Sequence, residues 1–129
     1  MKKLEKESVI GISALLVHAA KIDEIYSDHE KELIKSFIKS YLKDDDINET
    51  LKKAEEIENN SNQLLNFTNI IKQNPMDIKK DIVEHLWKVI ISDNTVDQYE
   101  SNLMRRICGL IYFPDKECAE IKLKLMNSK

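Results

Sequence analysis

Leu15 to Ile38 reads LLVHAAKIDEIYSDHEKELIKSFI, and His85 to Cys108 reads HLWKVIISDNTVDQYESNLMRRIC. Laid over each other at a constant offset of 70, Leu16 falls on Leu86, Asp23 on Asp93, Glu30 on Glu100 and Leu33 on Leu103. Each copy is the end of one helix, a short acidic corner and the start of the next helix. Apolar residues on both sides of each corner recur at three- and four-residue steps, the period of a buried helical face. The repeat predicts an all-α protein with an internal duplication. Its pseudo-repeats cover about 9–58 and 76–127 of a single domain spanning 1–129.

Working outward, the same period predicts about seven helices. The first covers about Lys3 to Lys21 and buries one face: Val9, Ile12, Leu15, Leu16, Ala19 and Ala20. Ser27 with Glu30 three places on is a capping-box signal, and the second helix runs from there to about Leu42. Asp46 with Glu49 starts a third, which turns Ile47, Leu51, Ala54 and Ile57 inward and ends near Glu58. The polar run Asn59 to Asn62 divides the halves, and a fourth helix carries Leu64, Leu65, Phe67, Thr68 and Ile71. Asn74-Pro75 reads as a cap followed by proline at the first helical position, opening a fifth helix from Met76 to Ser92. Asp97 with Glu100 opens the sixth, and Phe113-Pro114-Asp115 separates it from a seventh that ends near Met126.

The bulk composition agrees. A chain of 129 residues can bury about two-thirds of its unfolded surface, so a core forms without staples. With two Gly and two Pro there is little material for the tight turns of a sandwich or barrel. A net charge of −3 with interspersed signs does not favour nucleic-acid binding. Lys2 and Lys3 ahead of an apolar run imitate a signal peptide. Glu5 and Glu7 interrupt that pattern, and Val9 to Ala20 is too short to span a bilayer. The expectation is a cytoplasmic protein with no direct membrane insertion. Cys108 and Cys118, ten positions apart and without a CxxC pattern, read as buried thiols in a reducing compartment.

The acidic corners are the candidate site. Glu30 and Glu100 each stand in a first turn, where a carboxylate meets the positive end of the helix dipole. Asp23 and Asp93 stand near helix C-termini, where the dipole disfavours them. Two accounts are open. Each Asp folds onto the corner's own N–H groups as an Asx-turn. Alternatively the carboxylates share a hard divalent cation, Ca²⁺ or Mg²⁺ rather than Zn²⁺. The ligands would then be Asp23, Glu24, Asp28 and Glu30 at one corner and Asp93, Asp97 and Glu100 at the other. The spacing is not that of an EF-hand.

The stretches ALLVHAAKIDEIYSDHEKELI and LWKVIISDNTVDQYESNLMRRICGLIYFPDKE resemble the signature stretches of the TerB family, the tellurite-resistance B proteins. The resemblance covers roughly Val9 to Leu42 and Val83 to Leu123. It implies an all-helical, internally duplicated fold and a role in bacterial stress or tellurite resistance. It also implies metal binding by acidic residues, and no catalysis. The family's corner pairs Asp-Gly with a Glu seven residues after the Asp. Asp23, Glu30, Asp93 and Glu100 match that pattern, while Glu24 and Asn94 replace the glycine. A related domain in a membrane-anchored DnaJ-like co-chaperone gives the alternative expectation, a metal-free interaction module with a protein partner. A homo-oligomer is compatible with either.

The remaining candidates read blandly. His18, His29 and His85 form no HxxxH or HExxH, and no Gly-rich phosphate loop, GxSxG or Cys–His pairing exists, so the chain is expected not to be an enzyme. Trp87 is expected to pack beside the buried face of its helix. Tyr26, Tyr99 and Tyr112 are expected to pack at corners. Arg105, Arg106, Lys122 and Lys124 are expected to solvate a face rather than form a docking patch.

Overall fold

The computed structural model describes residues 5–21, 27–42, 47–60, 64–91 and 98–127, with the backbone alone for 64–66 and 98–99. Seven helices and no strand occur among them: α1 (Lys6–Lys21), α2 (Asp28–Tyr41), α3 (Ile47–Asn60), α4 (Leu64–Lys72), α5 (Met76–Ile91), α6 (Gln98–Leu110) and α7 (Asp115–Asn127). The expected all-α class and helix order are what the chain adopts.

Burial recurs at the interval seen in the sequence. Leu16 and Leu86, Ile34 and Met104, Phe37 and Ile107, Ile38 and Cys108, and Leu51 and Ile121 are all buried pairs. Within the first half α1 packs on α2 and α3; within the second α5 packs on α6 and α7. The halves meet where α1 and α2 lie against α5.

The expectation of one buried face on α1 is corrected. Gly11, Ser13, Ala14 and Val17 are buried together with the predicted stripe. No Asp, Glu, Lys or Arg interrupts the chain from Ser8 to Ala20, and a helix apolar on all sides is stable only when enclosed. α2, α3, α4 and α5 enclose it. Gly11 lets α4 come close: a Cβ there would collide with Ile70 Cδ1.

Ile57 is likewise corrected. It is 41% exposed, because the inward stripe of α3 runs through Thr50, Leu51 and Ala54 to Glu58. The Glu58 carboxylate accepts from Lys21 Nζ at 2.8 Å and lies 3.3 Å from His18 Nδ1, which ties the last turn of α3 to the last turn of α1.

The junction before α5 also differs from its expected form. The Asn74 side chain turns back to donate to the Ile70 carbonyl at 2.8 Å, so it closes α4. Pro75 takes the cap position instead, its carbonyl accepting from the Lys79 N–H at 3.1 Å.

Candidate functional site

The first corner delivers its helix through the expected capping box. Ser27 has extended backbone at φ −80° and ψ 164°, and its Oγ accepts from the Glu30 N–H at 3.2 Å. Glu30 Oε1 in turn accepts from the Ser27 N–H at 2.8 Å and the Ser27 hydroxyl at 3.1 Å. These bonds satisfy N–H groups that a helix start leaves without partners. Holding the cap folds the Glu30 side chain inward, and Glu30 is 5% exposed. Glu100, at the matching place in the first turn of α6, is 3% exposed.

Asp28 does not join Glu30. It is exposed, and residues two apart on a helix do not face each other. Asp23, Glu24, Asp93 and Asp97 lie outside the described residues, as does any Asx-turn they form. Among the described residues no three His, Cys, Asp or Glu side chains converge as a cation site.

The histidines stand apart from each other. His18 is half-buried against Glu58, and His29 is exposed. His85 is 9% exposed, donates from Nδ1 to the Asp81 carbonyl at 2.8 Å and meets Phe37 edge-on at 5.1 Å. Next to it the Tyr41 hydroxyl donates to Asp81 Oδ2 at 2.6 Å. This Tyr41–Asp81–His85 cluster joins α2 to α5 and was invisible in the sequence. Tyr41 and Asp81 are 40 positions apart and belong to no motif.

Trp87 is buried as expected. The four basic residues divide. Arg105 and Lys122 line one cavity, Lys124 borders a different cleft with Lys80, Glu84, Glu117 and Glu120, and Arg106 is exposed. Tyr112 does not pack inward: it is 67% exposed, with Lys72 Nζ 5.0 Å over its ring.

A family model described as Tellurite resistance protein TerB matches residues 10–123. The chain belongs to the TerB family. The match runs from α1 into α7, so both acidic corners of this TerB chain lie within it. No curated protein and no solved structure matches the chain. No helix among the described residues is long and apolar enough to cross a membrane.

Proposed function

We propose that this TerB-family chain binds a divalent cation, Ca²⁺ or Mg²⁺ in preference to Zn²⁺, at its two acidic corners, in a bacterial stress or tellurite-resistance response. The observation that carries the reading is the burial of Glu30 and Glu100 in equivalent first turns. A buried carboxylate needs positive charge or N–H groups around it. The helix start supplies part of that, and a cation supplies more. Carboxylate oxygens are the ligands hard cations take. Asp23 and Glu24 would complete the first site around Glu30, and Asp93 and Asp97 the second around Glu100. Asp28 faces away and is dropped from the set.

Calorimetry and native mass spectrometry with Ca²⁺, Mg²⁺, Mn²⁺ and Zn²⁺ test this reading. Binding tighter than about millimolar is expected, since that is the weak end of protein calcium sites. It should be lost in the Asp23→Ala, Asp93→Ala double variant. Binding unchanged in that variant ends the reading.

A second reading, the metal-free interaction module, draws on α7. Leu123 and Met126 are 58% and 41% exposed and lie one turn apart on that helix. A specific partner recovered from native lysate and lost with Leu123→Lys and Met126→Lys supports it; recovery unaffected by both sinks it.

A further inference from the structure

α6 closes on a sharp corner that turns α7 back onto its neighbours. The Phe113 N–H donates to the Cys108 carbonyl at 2.8 Å and the Tyr112 N–H to the Gly109 carbonyl at 3.3 Å, a Schellman closure with Tyr112 in the left-handed region at φ 59°. Pro114 then opens α7, its carbonyl accepting from the Cys118 N–H at 3.1 Å. α7 packs on both α5 and α6. Where the three helices meet, a cavity of about 480 Å³ remains. Small-molecule sites occupy about 300–1,000 Å³.

The floor of this cavity is apolar. Trp87 of α5 and Met104 of α6 line it, and they are 3% and 1% exposed. Its rim is charged. Arg105 of α6 and both Asp115 and Lys122 of α7 line it as well. Arg105 and Asp115 are exposed, and Lys122 is half-buried with its Nζ 5.5 Å from the centre of the Trp87 ring. Among the described residues none of these three charges forms an ion pair. Opposite charges thus border one cavity and stay apart.

The charges are also sorted by position. Asp115 is the first residue of α7, at the corner. Lys122 stands seven residues further on, about 10 Å along the helix axis. Arg105 stands five residues before Leu110, the last residue of α6, and so about 7 Å back from the corner. The corner end is negative, and both cations stand away from it. Charges that serve only to solvate a surface require neither this order nor an apolar floor between them.

The layout names a ligand. A carboxylate suits Arg105 and Lys122, and an ammonium group suits Asp115. In a free amino acid those two groups share one carbon and do not span the cavity. An extended chain advances about 3.3–3.6 Å per residue, so the termini of a tripeptide lie about 10 Å apart. Trp87 and Met104 give its middle side chain an apolar seat. We propose that this cavity binds short peptides with free termini, about three residues long and apolar at the centre. The amino terminus lies at Asp115 and the carboxylate between Arg105 and Lys122. None of the corner carboxylates takes part, so a bound divalent cation is not required.

Trp87 is the only tryptophan in the chain, and its emission reports on this cavity. The test titrates the full chain, in EDTA, with the peptide Ala-Leu-Ala, read by Trp87 fluorescence and by calorimetry. Saturable binding with a change in emission is expected. Acetylating the amino terminus or amidating the carboxyl terminus should each weaken it about tenfold, the scale of one charge-assisted hydrogen bond. The losses should pair. Asp115→Asn should bind free and acetylated peptide alike, and the Arg105→Gln, Lys122→Gln double variant should bind free and amidated peptide alike. Free leucine should bind wild type at least about tenfold more weakly than the tripeptide does. No saturation by about 10 mM peptide would overturn the proposal. So would blocked peptides that bind wild type as tightly as the free one, or leucine that matches the tripeptide. These three arms use wild type alone, so they decide the matter even where a variant fails to fold.

Discussion

The Tyr41 hydroxyl donates to Asp81 Oδ2 at 2.6 Å, and that bond crosses from α2 of the first half to α5 of the second. Burial, then the hydrogen bond to Asp81, then the charges of Asp81 and Asp77 raise the Tyr41 pKa above its ordinary 10. The folded state therefore favours the neutral phenol. Its contribution is complete below the unfolded value and is lost as pH climbs beyond it. Denaturant melts above about pH 10 should show wild type losing stability more steeply than Tyr41→Phe. At neutral pH the variant should be less stable by about 1 kcal/mol, the net value of one such bond. An equal slope for both proteins in alkali would contradict the assignment.

Glu58 fastens the ends of α1 and α3 with one carboxylate shared by Lys21 and His18. Both partners are more than a third exposed, so water weakens the attraction. Glu58→Ala is expected to cost about 1 kcal/mol, at the upper end for exposed pairs because the carboxylate itself is largely enclosed. Raising salt should shrink the difference from wild type. A salt-independent difference would assign the loss to packing instead.

The caps carry a separate expectation. Glu30→Ala removes the carboxylate that accepts from Ser27 and should lower stability by about 0.5–2 kcal/mol. Glu100→Ala, buried at the matching place, is expected to behave alike. Thermal melts report both, and a neutral result at either position would remove that first turn from the list of fastenings.

Tyr112 occupies a conformation that L-residues enter at a cost of about 1–2 kcal/mol. Tyr112→Gly relieves it and loses the exposed contact with Lys72. The expected outcome is a net gain of about 1 kcal/mol, since glycine is the ordinary residue at this cap position. Calorimetry that finds the variant destabilised would mean that the tyrosine ring matters more than its backbone.

Local signals were legible and distant ones were not. Ser27 and Glu30 are three residues apart, so their reciprocal bonds could be read from spacing. Ile78, Ile82, Leu86, Val89 and Ile90 are buried at helical spacing, so periodicity alone finds them. Glu58 hid behind Ile57 because hydrophobicity points to the isoleucine, while the partners that draw the carboxylate inward sit on another helix. Asn74 was misread because its neighbour Pro75 suggested the next helix, yet its amide finds a carbonyl in the previous one. Of the candidate cation ligands, the buried pair Glu30 and Glu100 followed from the repeat, whereas the outward direction of Asp28 depends on which face of α2 meets the core.

The enclosure of α1 has a bearing on biosynthesis. Its last neighbour, α5, ends at Ile91, so during synthesis α1 leaves the ribosome well before the helix that completes the cover of its apolar sides. During that interval a bare greasy segment is open to misassociation, which makes the nascent chain a natural client for a holding chaperone.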